Sequence, residues 1–477
     1  MVASPLPDGI VAVVKRDCPT CNLVAPVLSE LVASGVNVTV YSQDDPTFPP
    51  EVPVVDDTAL EVSFGLDLVT VPTLMKVEDG VVVARLEGWS RPRWEELTGV
   101  SPLGDGLPEW RPGCGSLTVD PEVRERLAAR NPALRSRRLE LARLEDEAEA
   151  FFERGWTDGL PVVPPTPARV LRMLEGTSRA ADEVVALVGP EFNECTVEKV
   201  AVNAVMAGCR PEYLPVVLAA LEAACTDEFN MHGLLCTTWF AGPVVIVNGP
   251  IAREIGMNSG VNALGQGNRA NATIGRALQL IVRNVGGGRP GEIDRATLGN
   301  PGKYTFCFAE DEEGSPWEPL SVERGLPAGA SAVTLFAGEG PRGMADQLSR
   351  TPESLARSFA WCLEGVWHPK LALYADAVLV VSPEHARVFR DAGWSKTRLR
   401  QELTGLLTRP GRDLVREARD CAEGMPESLE GADIPKFAPD GLLIVHAGGR
   451  AGLFSAVIGG WVRGEIGSQP VTREVKR

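Results

Sequence analysis

The sequence predicts an α/β protein built in two unequal parts, and three observations carry that expectation. In the first hundred residues, short apolar runs suited to strands alternate with helical runs and close on a hairpin signal. Further on, the runs 244–248, 377–381 and 441–446 are strongly apolar, and each leads into a polar loop. Unbroken apolar strands of this kind suit a mixed, mostly buried sheet covered on both faces. Between the two parts, residues 100–118 are rich in Gly and Pro and read as a linker. The expected division is therefore 1–100, a linker and helical arm over 101–154, and a large α/β domain over 155–477.

At 477 residues the chain is long enough for two or three domains with a sizeable core. It carries 47 Lys and Arg against 64 Asp and Glu, a net charge of −17. A nucleic-acid backbone needs clustered cations, so no nucleic-acid partner is expected. The same charge disfavours anionic membranes. The longest apolar candidate, 442–461, is interrupted by His446, Arg450 and several glycines, and reads as a strand, a loop and a helix. Residues 1–5 show no basic region ahead of an apolar core, so no secretory signal is expected. Ten cysteines dispersed over this length suit reduced thiols and a cytoplasmic location.

The front of the chain is organised around Asp17-Cys18-Pro19-Thr20-Cys21. An apolar strand over 10–15 precedes the motif, and a helix over 19–33 follows it. A thiol at a helix N-terminus meets unpaired backbone N–H groups and the positive end of the dipole, both of which favour the thiolate. A second thiol one turn on can resolve a mixed disulfide. The alternative, half of a zinc site, lacks a second Cys-X-X-Cys, and no metal is expected. A strand over 37–42, a helix over 58–64, strands over 73–77 and 81–86 joined at Asp79-Gly80, and a helix over 91–98 complete this part.

This order, with the dithiol after the first strand and Thr70-Val71-Pro72-Thr73 before the third, resembles the thioredoxin superfamily in its shorter, glutaredoxin-like form. The resemblance covers about residues 8–100. It implies a thioredoxin-like domain in which Cys18 attacks, Cys21 resolves and Pro72 is a cis-proline facing them. Asp17 stands where the family usually has Trp, and Pro19-Thr20 replaces the usual Gly-Pro. Charge repulsion from Asp17 should raise the neighbouring thiol pKa. Cys114 lies in the Gly- and Pro-rich stretch and reads either as a mobile thiol that shuttles electrons to the dithiol or as an ordinary loop cysteine. The charged runs 120–131 and 134–154 read as amphipathic helices of an arm.

In the large part, Glu194 or Thr196 is positioned to cap a helix over 200–207. His232 and Cys236 are the one closely spaced His/Cys couple and would share a helical face, as a reactive pair or as a buried Cys beside a hydrogen-bonded His. The stretch 257–271 holds Asn258, Asn262, Asn268 and Asn271 with Gln266 and Arg269, and feeds a helix over 273–285. Uncharged donors and acceptors at a helix N-terminus, with one cation, suit a polar small molecule. Glu310 to Glu313 reads as a solvated acidic turn. Ligands in such sheets bind beyond the strand C-termini, where Asn248, Ser382, His385, His446 and Arg450 fall. His446 is the leading acid/base candidate there. The glycines at 286–288 end a helix, and nucleotide, serine-hydrolase and zincin motifs are missing, so no cofactor is expected.

The expected function is a thiol-disulfide oxidoreductase, an enzyme in which the Cys18/Cys21 dithiol serves a fused catalytic domain holding a polar small-molecule substrate. A thiol electron donor would recharge it, and Cys236 or Cys114 would be the internal partner. Homo- or hetero-oligomers are compatible with this reading. The alternatives are a non-redox lyase or hydrolase regulated by the dithiol, and a redox-sensing partner subunit.

Overall fold

The structure is a computed structural model that describes residues 6–142 and 145–476. The reading of residues 1–5 lies outside those described. The chain forms an α/β protein of two compact units. The first runs up to Arg135 and includes Thr166–Leu171; the second holds Ser136–Pro165 and Arg172 onward.

The small unit is built on a five-stranded sheet. Its elements are β1 (Gly9–Val14), α1 (Pro19–Ala33), β2 (Val38–Ser42), β3 (Val54–Asp56), α2 (Glu61–Gly65), β4 (Thr70–Val71), β5 (Thr73–Glu78), β6 (Val81–Glu87), β7 (Trp89–Ser90) and α3 (Arg91–Thr98). Strand order is β3-β2-β1-β5-β6, with β1, β2 and β3 parallel and β5 and β6 antiparallel. Central β1 is buried from Ile10 to Val14, as a strand covered on both faces must be. Val24, Val27, Leu28 and Leu31 of α1 are fully buried in the same core. Burial of such side chains stabilises by about 1.5–3 kcal/mol each.

Residues 101–118 differ from the expected linker. They continue the small unit through β8 (Trp110–Arg111) and β9 (Cys114–Gly115), which pair with β7 and β4. Buried Leu103, and a bond from Trp89 Nε1 to Pro108 O at 2.6 Å, fix the segment further. Gln43, itself buried, donates to Ser116 Oγ at 2.7 Å and accepts from Leu117 N at 3.0 Å. Gly and Pro here serve tight turns between two-residue strands, where a run has no room for periodicity. The predicted arm is also mostly absent. Helix occupies Pro121–Ala128 and Glu147–Glu153, and the described residues between 134 and 142 are irregular. Positions 143 and 144 of that predicted run lie outside the described residues.

The large unit carries a hairpin of β10 (Val184–Val188) and β11 (Asn193–Thr196), then a mixed eight-stranded sheet. The sheet uses β12 (Gly242–Asn248), β13 (Cys307–Ala309), β14 (Ala332–Gly338), β15 (Arg342–Ala345) and β16 (Ala375–Val381). Between β16 and the next sheet strand, β17 (Thr408–Pro410) and β18 (Asp433–Pro435) pair with each other as a separate two-stranded ribbon. The sheet is completed by β19 (Leu442–His446), β20 (Phe454–Val462) and β21 (Val471–Glu474). β12 with β13 and β16 with β19 are parallel; β14 joins β20 through a single bridge, Gly338 to Gly460. Val244, Ile246 and Phe336 share one core with Val378, Val380, Leu443, Val445 and Ile458.

The helix expected at the end of 442–461 is strand β20 instead. Gly459-Gly460 weakens a helix there, while the stretch pairs with β14, β15 and β16. Among the described residues no helix is long and apolar enough to cross a membrane.

Candidate active site

The dithiol is held from both sides of its turn. Asp44 accepts from Arg16 N at 2.6 Å and Asp17 N at 2.9 Å, which fixes the backbone leaving β1. Cys18 is the N-cap of α1, with extended φ −149° and ψ 114°, and its sulfur accepts from Cys21 N at 3.3 Å. Pro19 fits the first helical position, where no N–H is needed. Asn22 N donates to Cys18 O at 3.0 Å, closing the first turn.

Across the motif, Cys18 Sγ lies 3.6 Å from Val71 O, and the Val71–Pro72 peptide is cis. The sequence-predicted residues Cys18, Cys21 and Pro72 are therefore assembled in one place. Cys114 joins them. It stands opposite Val71 in the β4–β9 pair and packs against the core cluster that holds Cys18 and Cys21. Thr20 Oγ1 donates to Pro112 O at 2.7 Å, so the segment ahead of Cys114 is bound directly to the motif.

The thiols are sharply unequal. The Cys18 thiol is lowered from its ordinary value to about 5, chiefly by the hydrogen bond from Cys21, helped by Cys114 and by the N–H groups of Cys21 and Thr20, and opposed by burial. Cys21 is pushed up by burial and by the same hydrogen bond to Cys18. Cys114 is also raised, first by desolvation and then by neighbouring Cys18. The repulsion expected from Asp17 is not what sets Cys18; donors aimed at the sulfur outweigh it. Accessibility is graded too: Cys21 is 0% exposed, Cys18 1%, and Cys114 is half-buried.

In the large unit the predicted residues fall in several different settings. His232 and Cys236 both lie on the short helix Met231–Cys236 and are exposed; His232 stacks on Phe192 at 5.7 Å between ring centroids. A thiol–imidazole contact does form elsewhere, between Cys421 Sγ and His368 Nε2 at 3.8 Å, across 53 positions of sequence. No local spacing announces it.

The asparagine loop is spent on itself. Asn268 caps the helix Arg269–Asn284 by accepting from Asn271 N at 3.1 Å, and donates to Gly256 O at 2.8 Å. Asn271 is buried, accepting from Asn258 N at 3.0 Å and donating to Asn258 O at 2.8 Å. The Asn258 side chain bonds Gly260 N and Val261 O, and Asn262 donates to Gln266 O. Arg269 Nε donates to Gly208 O at 2.9 Å, and the Gln266 side chain is exposed. The asparagines of the predicted substrate-binding set are thus largely bonded within the loop, because side-chain amides within a few residues of free backbone groups satisfy those first.

The unexpected feature is Glu310. Rather than lying in a solvated turn, it is 4% exposed at the end of β13. Its carboxylate accepts from Asn248 Nδ2 and Leu320 N, both at 2.7 Å, with Lys396 Nζ 3.9 Å away. Burial raises its pKa against these partners. Glu312 accepts from Asn248 Nδ2 at 2.8 Å and Gly249 N at 2.7 Å. His446 is 0% exposed at the end of β19, with Asp311 Oδ2 3.8 Å from Nε2 and neither ring nitrogen hydrogen-bonded among the described residues. Its pKa is lowered, chiefly by burial, so the imidazole is neutral near pH 7. Asn248 and His446 lie at strand ends, as expected, and Glu310 meets both, accepting from Asn248 Nδ2 and from His446 N at 3.4 Å. His385 does not join them; it bonds Ser455 Oγ at 2.7 Å and Asp346 O at 3.0 Å, and Arg450 is exposed. An unbroken acidic run beside an apolar strand was the sequence signal available for Glu310, but it is the same signal that a surface turn produces.

A scan against protein-family models finds no match for this chain, and a search of curated proteins finds none either.

Proposed function

We propose that the chain is a thiol-disulfide oxidoreductase whose dithiol centre is Cys18/Cys21, carried on a thioredoxin-like small unit. The observation that carries this reading is the asymmetry of the pair: Cys18 is held at a helix N-terminus as the acidic thiol, and Cys21, one turn on, is held protonated. A low-pKa sulfur attacks and leaves well, and a protonated neighbour keeps its own sulfur in reserve. In the reaction, the Cys18 thiolate attacks a disulfide R–S–S–R, a Cys18–S–S–R bond forms, and R–S⁻ leaves. Cys21 then loses its proton and attacks Cys18; the Cys18–Cys21 bond forms and the second R–S⁻ leaves, so two electrons pass to the substrate. A thiol donor returns them.

The large unit, in this reading, holds the polar small-molecule substrate. The convergence of Asn248, Glu310 and His446 at strand ends supports that role over the asparagine loop. The free state of all ten cysteines supports a reducing, cytoplasmic setting.

The test is reduction of a protein disulfide such as insulin by the full chain with dithiothreitol as donor. Cys18→Ser should abolish turnover, and Cys21→Ser should stop the cycle with Cys18 held in a disulfide that Cys21 can no longer resolve. A Cys18→Ser protein as fast as the parent would overturn the reading.

A further inference from the structure

Of the three sulfurs gathered in the small unit, the one that attacks best is not the one that solvent meets. Cys18 is 1% exposed and Cys21 is 0% exposed, while Cys114 is half-buried. The β9 strap that carries Cys114 packs against the core cluster that holds Cys18.

That strap is built into the site. Cys114 is the antiparallel partner of Val71, whose carbonyl oxygen lies 3.6 Å from Cys18 Sγ, and Thr20, inside the motif, bonds Pro112 O at 2.7 Å. Gly113 is required by the approach: a Cβ there would lie 2.3 Å from Thr70 Cγ2 and 2.8 Å from Val71 O. A side chain at 113 would push the strap, and Cys114 with it, away from Cys18. Cys114 stands near enough to Cys18 to help lower the pKa of that thiol. Cys114 also packs with the core cluster that contains Cys18 and Cys21.

We infer that Cys114 is a third redox thiol, a relay through which disulfide substrates exchange with the buried Cys18/Cys21 pair. This rests on the oxidoreductase reading above. Cys114, its proton passing to solvent, attacks R–S–S–R; the Cys114–S–S–R bond forms and R–S⁻ leaves. The Cys18 thiolate attacks the Cys114 sulfur, forming Cys18–Cys114 and releasing the second R–S⁻. Cys21 loses its proton and attacks Cys18; the Cys18–Cys21 bond forms, and Cys114 departs as a thiolate that takes up a proton. Two electrons leave the buried pair, and Cys114 returns unchanged. The roles follow the order of exposure.

The experiment uses the full chain, reduced and then reacted with the nitrobenzoate disulfide used to count thiols, with Cys18→Ser as the baseline for unrelated cysteines. In Cys21→Ala the relay should stop one step early, so peptide mapping under non-reducing conditions should find Cys18 bonded to Cys114. Cys114→Ser keeps a hydrogen-bond donor beside Cys18, and should slow formation of the Cys18–Cys21 disulfide at least about tenfold. Substituting Gly113→Val in the otherwise native chain should slow it as well, with all three thiols present. If Cys21→Ala instead retains a stable Cys18 mixed disulfide, or if Cys114→Ser reacts at the parent rate, the relay is wrong and the dithiol reading stands. If the parent itself never forms Cys18–Cys21, both fail.

Discussion

The two units treat their polar side chains in opposite ways. In the small unit, three thiols are brought together, and one is kept as an acidic sulfur by donors aimed at it from a helix N-terminus. In the large unit, the amides of 258–271 bond their own loop. A group surrounded by donors that favour its charged form becomes reactive, whereas a group whose capacity is matched by its neighbours becomes structural. The difference teaches that a cluster of polar residues in a sequence is no guide to a site until their partners are known. Sulfur is the more legible case, because a thiol seldom satisfies local backbone as an amide does.

The largest expected effect sharpens the small-unit side of this contrast. Cys18→Ser should abolish disulfide reduction while leaving the large unit folded, as seen by turnover together with urea unfolding. The pH dependence should follow. Because the folded Cys18 pKa is depressed, to about 5, its alkylation rate should rise through a midpoint near pH 5 and be flat by pH 7. The sign for stability is the same: the contribution is full above the ordinary thiol pKa and is lost as pH falls toward the folded value. A midpoint near that of a free thiol would remove the contrast between the units.

On the large-unit side, Glu310→Ala should cost about 3 kcal/mol in urea unfolding, since it leaves the buried Leu320 N–H without its carboxylate acceptor, while Asn248 keeps Glu312 and Lys396 keeps Glu323. Smaller, at about 1–3 kcal/mol, is Asn271→Ala, which removes the amide tying Asn258 to Ala263. Smallest is Gln266→Ala, whose exposed side chain should change stability by no more than about 0.5 kcal/mol. If Gln266→Ala or Asn262→Ala instead weakened binding of a small-molecule substrate severalfold with stability unchanged, the loop would be a ligand site after all and the contrast would break.

Much of the small unit was legible because its signals are local. Pro19–Ala33 and Arg91–Thr98 are helices at the expected bounds, and β1, β2, β5 and β6 fall within a residue of expectation, whereas the three-residue edge strand β3 was not expected. The two-residue strands β8 and β9 were not legible, since pairing of that length leaves no periodicity and Gly and Pro suggest a linker. In the large unit the apolar strands β12, β16 and β19 were readable from their runs, but β20 was not. Its Ser-Ala-Val-Ile-Gly-Gly sequence takes its conformation from three neighbouring strands.

Residue order alone determined that two sulfurs stand one turn apart behind an apolar strand, because strand, turn and helix there are dictated by neighbours in the chain. Packing decided the rest. Cys114 reaches Cys18 only because β9 pairs with β4, and Glu310 reaches Asn248 only because β13 lies beside β12. Cys421 meets His368 across 53 positions for the same kind of reason. Contacts between residues far apart along the chain depend on which surfaces bury each other, and no stretch of sequence contains that information in isolation.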